Sequence, residues 1–200
     1  MARNAGQTRL RILSAARNLF SSHGYPGTSL DDILTAAGIT KGAFYHHFKS
    51  KEHICQVLLD EAVLDIQCME GETDSEGDPY EQIRRWGESL IRPDDSGLRH
   101  HCRLVMRLTG DMALFSTPTP DKINRFWKEL HITLTGLLRR LPSLNSSCSN
   151  PEEAAAIMLT VLTGALWMQQ STALPMDTES LMESCMRMIA AGPQGAGQSF

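Results

Sequence analysis

The stretch that decides the fold runs from Thr28 to Glu52: T-S-L-D-D-I-L-T-A-A-G-I-T-K-G-A-F-Y-H-H-F-K-S-K-E. Ser29 has N-cap chemistry, with Asp32 three residues on to complete a capping box. Leu30, Ile33, Leu34 and Ala37 then form the apolar stripe of a short helix. Gly38 can take the left-handed conformation that ends it. Thr40 caps a second helix from Lys41 to about His47, and Ser50 caps a third, longer one whose buried stripe is Ile54, Val57, Leu58 and Ala62. Two short helices joined by a tight glycine turn have helix-turn-helix proportions, expected here over about residues 29–48.

Outward from that motif the pattern stays helical. Upstream, Ile12, Leu13, Ala16, Leu19 and Phe20 recur at spacings of three and four on one face of a first helix, which Gly24 can end. Downstream, the acidic run Gly71–Asp78 reads as a loop, and Pro79 suits the first position of a helix carrying Tyr80, Ile83, Trp86 and Leu90. Further helices are expected over Leu98 to about Leu114 and over Asp121–Leu141, the latter with Ile123, Phe126, Trp127, Leu130, Leu134, Leu137 and Leu138 inward. Two more are expected over 151–172 and 178–191. The first of these is apolar on nearly all sides between Ala154 and Met168, so it must be covered on both. Strand alternation and internal repeats are absent, so the expected class is all-α. The expected organisation is a helix-turn-helix domain over 1–53, a second helical domain over 54–191, and a disordered tail over 192–200.

Composition excludes the fibrous and disordered classes, since 42% hydrophobic and 21% charged residues are globular values in 200 residues. The apolar run 154–168 is broken by Thr160 and Thr163 and falls short of the ~20 residues of a membrane span. With no secretory pattern at Arg3, Arg9 and Arg11, the expected compartment is the cytoplasm, without membrane attachment. Five scattered cysteines (Cys55, Cys68, Cys102, Cys148, Cys185) without a CxxC pair argue against a disulfide framework or zinc ribbon. The total charge of −4 is unevenly divided. Residues 1–53 hold seven lysines and arginines against Asp31, Asp32 and Glu52, a net +4, which leaves −8 for the remainder. A basic end on an acidic body is the asymmetry of a chain that meets phosphate with one part only.

The run Thr28–Ile33 followed by Ala37–Glu52, ending in K-G-x-x-Y-x-x-F-x-x-K-E, resembles the DNA-binding signature of the tetracycline-repressor (TetR) family over about residues 8–60. By that resemblance Thr28, Thr40, Lys41, Gly42, Ala43, Tyr45, His46 and Lys51 match positions that family members use. The chemistry of the positions agrees with this. A recognition helix meets the major groove with its N-terminal residues, where side chains reach base edges and backbone N–H groups face phosphate. Lys41 is the candidate for guanine O6 or N7, and Ala43 for a thymine methyl, while Gly42 lets the backbone approach closely. Tyr45 and His46 are placed for phosphate or base edges; Thr28, Lys49 and Lys51 are expected to clamp the DNA backbone. Phe44 and Phe48 are the expected core anchors. The adjacent His46 and His47 point some 100° apart on a helix and do not suit one metal ion.

A single small reading domain rarely suffices for specific binding. Two copies spaced by about one DNA turn, ~34 Å, are therefore expected, joined as a homodimer through helices 151–172 and 178–191. The resembling family dimerises there too. Trp86, Met106, Met112, Phe115, Phe126, Trp127, His131 and Trp167 are candidate contacts for a small, mostly apolar effector, since the family's middle helices surround an inducer cavity. Cys102, in Arg99-His100-His101-Cys102-Arg103, carries an alternative: nearby cations would lower its thiol pKa and make it an electrophile or redox sensor. No GxSxG, GxxxxGK[ST] or HExxH motif is present, so no catalytic residue, cofactor or metal set is expected. The expected function is a ligand-responsive repressor released from double-stranded operator DNA, with a ligand-dependent activator as the other outcome.

Overall fold

The computed structural model describes residues 2–71, 77–91, 98–144, 148, 150–171 and 176–189. Among them nine α-helices and one 3-10 turn follow in order: α1 (Ala2–His23), α2 (Leu30–Ala37), α3 (Lys41–Tyr45), α4 (Lys51–Gly71), α5 (Pro79–Ile91), α6 (Leu98–Gly110), the 3-10 turn Met112–Leu114, α7 (Thr119–Leu138), α8 (Pro151–Ser171) and α9 (Thr178–Ile189). The fold is all-α. None of the described helices is long and apolar enough to cross a membrane. The tail expected over 192–200 lies outside the described residues, as does most of the acidic loop expected at 71–78.

Two compact units are present, residues 1–65 with 101–127, and residues 66–100 with 128–200, so the boundaries fall within α4, α6 and α7. In the first unit Ile12, Ala16 and Phe20 of α1, Ile33 of α2, Phe44 and Phe48 around α3, and Ile54 and Leu58 of α4 are fully or almost fully buried. Val105 and Leu108 of α6 and Ile123 and Phe126 of α7 belong to the same unit and are equally buried. The amphipathic spacing of each helix decides which face enters this core. At the rim Arg17 of α1 bonds Glu61 of α4 at 2.9 Å, and His101 Nε2 of α6 meets Asp65 Oδ2 at 2.7 Å.

The second unit is organised around α5, α8 and α9. A β-carbon on Gly87 would fall 2.5 Å from the Met182 sulfur and 3.0 Å from the Met158 methyl, so here a glycine permits the close helix approach. Helix starts follow local polar caps: Asp78 Oδ1 accepts the Tyr80 amide, Asn150 Oδ1 the Glu153 amide, and Asp177 Oδ1 the Glu179 amide. Along α8, Ala154, Ala155, Met158, Leu162, Ala165 and Leu166 are buried. The opposite face, with Ala156, Thr160, Gly164 and Trp167, stays exposed in the single chain.

Several boundaries differ from the sequence reading: α7 runs over Thr119–Leu138 rather than Asp121–Leu141, and two other helix ends have a visible cause. The helix expected to reach Leu114 stops at Gly110 and gives way to the 3-10 turn. That end is stitched by Asp111, whose amide reaches the Arg107 and Leu108 carbonyls and whose own carbonyl accepts the Leu114 amide. The helix expected to reach His47 ends at Tyr45, because the next amides turn back in tighter fashion: that of His47 bonds the Phe44 carbonyl at 2.8 Å.

Candidate nucleic-acid interface

The reading motif is built from local bonds. Ser29 Oγ accepts the Asp32 amide at 3.1 Å, and Asp32 Oδ2 accepts the Ser29 amide at 2.8 Å and its hydroxyl at 2.7 Å, which completes the capping box. The side-chain and backbone hydrogen bonds from Ser29 hold the exposed Asp32 carboxyl below its ordinary value. At the other end of α2, Gly38 takes φ +60, and its N–H together with that of Ile39 satisfies the Thr35 and Leu34 carbonyls. Arg11 of α1 reaches over this terminus, its guanidinium donating to the Gly38 carbonyl at 3.1 Å and also to the Ala37 carbonyl. A cation at a helix C-terminus complements the macrodipole, so Arg11 ties α1 to the turn. The sequence reading placed no function on it.

Thr40 then caps α3, its hydroxyl accepting the Ala43 amide at 3.2 Å. Phe44 and Phe48 are buried with ring centroids 5.9 Å apart, and these two anchors fix the rotation of the helix. With them inward, Lys41, Gly42, Tyr45 and His46 are exposed and Ala43 is half-buried. Tyr45 packs edge-on against Phe44 at 5.3 Å yet remains 54% exposed, a large aromatic held at the surface. Gly42 has no positive φ, and a β-carbon on it would meet only the Thr40 hydroxyl at 4.0 Å. The fold itself therefore does not require a glycine there. Lys49 is exposed, and its amide donates to His53 Nδ1 at 3.2 Å.

Two of the expected DNA-backbone clamps have other employment. Thr28 is 1% exposed, and its hydroxyl donates to the Gly24 carbonyl at 2.9 Å, so it is not presented to a phosphate. The Lys51 ammonium donates to the carbonyls of Tyr25 and Thr28, both at 2.7 Å, and lies 4.0 Å from the Tyr25 ring centroid. Burial lowers its pKa, and this lysine closes the loop between α1 and α2 rather than reaching outward.

The candidate sensing residues divide between the units. In the first, Phe126 is fully buried beside Trp127 at 5.3 Å, and the Trp127 indole donates to the Thr109 hydroxyl at 3.1 Å. Met106 and Met112 are half-buried. Phe115 is taken up by Tyr25, with ring centroids 4.4 Å apart. In the second unit, His131 Nε2 bonds the Glu152 carbonyl at 3.0 Å, and Trp167 is 59% exposed, so it does not wall a cavity within one chain. Trp86 is buried, and its indole N–H finds no hydrogen-bond acceptor among the described residues. Cys102 departs from the expected lowered thiol pKa. It is fully buried, and desolvation pushes its thiol well above the usual range, which outweighs the cations beside it in the sequence.

The arrangement has close relatives. The family described as bacterial regulatory proteins, tetR family, matches residues 12–58, which cover the capped helices just described. The HTH-type transcriptional regulator TtgR of Pseudomonas putida is 28% identical over 206 aligned positions, covering 94% of each chain. The A-factor receptor protein of Streptomyces griseus is 33% identical over 118 residues, 58% of this chain, which spans only 40% of that protein's length. Among solved structures, AibR in complex with isovaleryl coenzyme A and operator DNA superposes with a TM-score of 0.66 at 20% identity. The match covers 90% of this chain and 97% of AibR. With the capped turn and the outward α3 in agreement, residues 12–58 form the DNA-binding domain of the tetR family, and along 94% of its length the chain is similar to the transcriptional regulator TtgR.

Proposed function

We propose that this regulator is a homodimeric repressor that reads operator DNA with α3 and leaves it when a small, mostly apolar effector binds. The observation that carries the reading is the outward end of α3. Lys41, Gly42 and Tyr45 are exposed on a helix whose rotation is locked by Phe44 and Phe48, at the end where free N–H groups favour phosphate. A glycine that the fold does not need, at the second residue of that helix, fits close approach of backbone to DNA. Lys41, Gly42, Ala43, Tyr45, His46 and Lys49, with the Thr40 cap, are the proposed contact set. Residues 1–53 are assigned to reading DNA, and 54–191 to sensing and pairing.

The exposed α8 face with Gly164 and Trp167, continued by the 53% exposed Met188 of α9, is the proposed surface for a second copy. The buried Trp86 N–H is the donor offered to an acceptor oxygen on the effector, since a buried polar group without a partner is rare. The AibR complex offers a precedent for a fold that holds an acyl coenzyme A and an operator together. Effector binding shifts the dimer toward states whose two reading heads mis-space adjacent major grooves, with α4 transmitting the change.

Selection of duplexes from a random pool, followed by a salt titration of the winner, tests the reading. Operator binding gives a steep log–log slope that Lys49→Ala, by removing a proposed phosphate contact, makes shallower by about 0.9. Absence of any selected sequence, or a slope near zero, refutes it. Trp167→Arg is expected to convert the dimer to a monomer in sedimentation and to abolish specific binding with it.

A further inference from the structure

Asp111 lies 86 residues beyond Tyr25, just past the last turn of α6, yet its Oδ2 accepts the Tyr25 amide at 2.9 Å. The approach is close: a β-carbon on the neighbouring Gly24, at φ +74, would stand 3.1 Å from the same oxygen. The Phe115 ring packs tilted against the Tyr25 ring, with centroids 4.4 Å apart. The amide and hydroxyl of Ser116 donate to the Glu52 carboxylate at 3.1 and 3.0 Å, and the Thr119 hydroxyl donates to it at 2.8 Å. Thr119 in turn accepts from the Gln56 amide at 3.1 Å.

One short segment, 111–119, thus grips both supports of the reading helix. The first support is the 24–28 loop that leads into the Ser29 cap of α2. The second is the opening turn of α4 at Glu52. Lys51 joins the two by holding the Tyr25 and Thr28 carbonyls, and the Asp111 carboxylate acts on its charge. All of these residues belong to one compact unit.

We propose that Asp111 and Phe115 are positioning residues for DNA recognition, holding the 24–28 loop in the one conformation from which α3 can present Lys41 to Tyr45. The inference rests on the DNA-reading function proposed above and extends it to residues far outside the helix-turn-helix. Without the Asp111 acceptor, the half-buried Tyr25 amide finds its bond elsewhere, and the loop samples other conformations. Apparent affinity then falls by the fraction of molecules left competent. No phosphate contact is lost, so the salt dependence does not change.

The test uses the whole 200-residue chain, a duplex selected by the wild-type protein, and three variants: Asp111→Ala, Asp111→Asn and Phe115→Leu. Affinity is read over a salt series, and amide exchange is read in peptides covering residues 20–30 and 111–119. Asp111→Ala is expected to weaken binding about tenfold with an unchanged log–log slope and to speed exchange at Tyr25. Asp111→Asn keeps an acceptor oxygen and is expected to retain most of the affinity, a rescue that a general loss of stability would not show. Phe115→Leu keeps apolar bulk and is expected to fall between the two. In the wild type, where no variant can misfold, duplex binding is expected to slow exchange of the Ser116 amide.

Wild-type affinity in Asp111→Ala despite faster exchange at Tyr25 overturns the proposal. So does equal loss in the alanine and asparagine variants, or a Ser116 amide indifferent to DNA in a wild type that binds it. A wild type that selects no duplex refutes the DNA-reading function itself, which is a different failure.

Discussion

Replacing Lys51 by methionine removes the ammonium while keeping most of the stem, and it separates two roles for this residue. The family signature makes Lys51 a phosphate contact; the structure gives its three N–H donors two carbonyls at 2.7 Å and a tyrosine face at 4.0 Å. Charge-assisted bonds are worth about 1.5–3 kcal/mol each, and a cation over an aromatic ring about 0.5–1 at a partly exposed site. Lys51 is half-buried, so the lower ends apply, and the relief of desolvating an ammonium offsets part of the loss. The expected net destabilisation is about 2–3 kcal/mol, well above the effect of an ordinary surface change. Urea unfolding of the protein at fixed concentration measures it. On the same variant, operator binding by fluorescence anisotropy from low to high salt is expected to show lower affinity with the wild-type slope. A slope shallower by about 0.9 with undiminished stability would refute the reasoning, because that is the signature of one lost phosphate contact.

Three further outcomes follow from single positions. Gly38→Ala forces a side chain into φ +60 and sets its β-carbon 2.8 Å from the Arg11 guanidinium, so a loss of about 1–2 kcal/mol is expected; an unchanged unfolding midpoint contradicts it. Native-state maleimide labelling is expected at the exposed Cys68 and not at the buried Cys102, and Cys102→Ser is expected to respond to electrophiles as the wild type does; fast native labelling of Cys102 by mass spectrometry would restore the sensor reading. His101 lies below the usual histidine range because burial disfavours its cation more than the Asp65 carboxylate favours it. The unfolded chain therefore takes up the proton first. Stability is complete above pH about 6.5 and falls as the pH drops toward the folded value. His101→Gln is expected to flatten that fall between pH 7.5 and 5.5 in urea midpoints, and an equally steep fall in the variant counts against the assignment.

The helix-turn-helix was legible because its determinants are short-range. A cap needs only a side-chain oxygen and an amide three residues on, as at Ser29 with Asp32 and Thr40 with Ala43, and the turn needs only a glycine at 38. The inward faces of α1, α2 and α4 were legible for a similar reason, since the helical period converts spacing into direction. Where helices stop was less so: α6 ends at Gly110 through bonds made by Asp111 that no periodicity announces.

By itself the sequence determined an all-helical chain, the capped motif near its beginning, and which residues of that motif share a helix. Only the tertiary structure decided the employment of Thr28, Lys51, Phe115 and Cys102. Each was assigned from its neighbours in the chain, and each is governed by groups far from it. Lys51 answers to carbonyls 26 and 23 residues away, and Phe115 to a ring on the α1–α2 loop. The charges next to Cys102 in the chain lose to the desolvation imposed by the core around it. Helix caps and faces depend on the backbone within about one turn, whereas burial and long-range hydrogen bonds exist only once distant segments have packed.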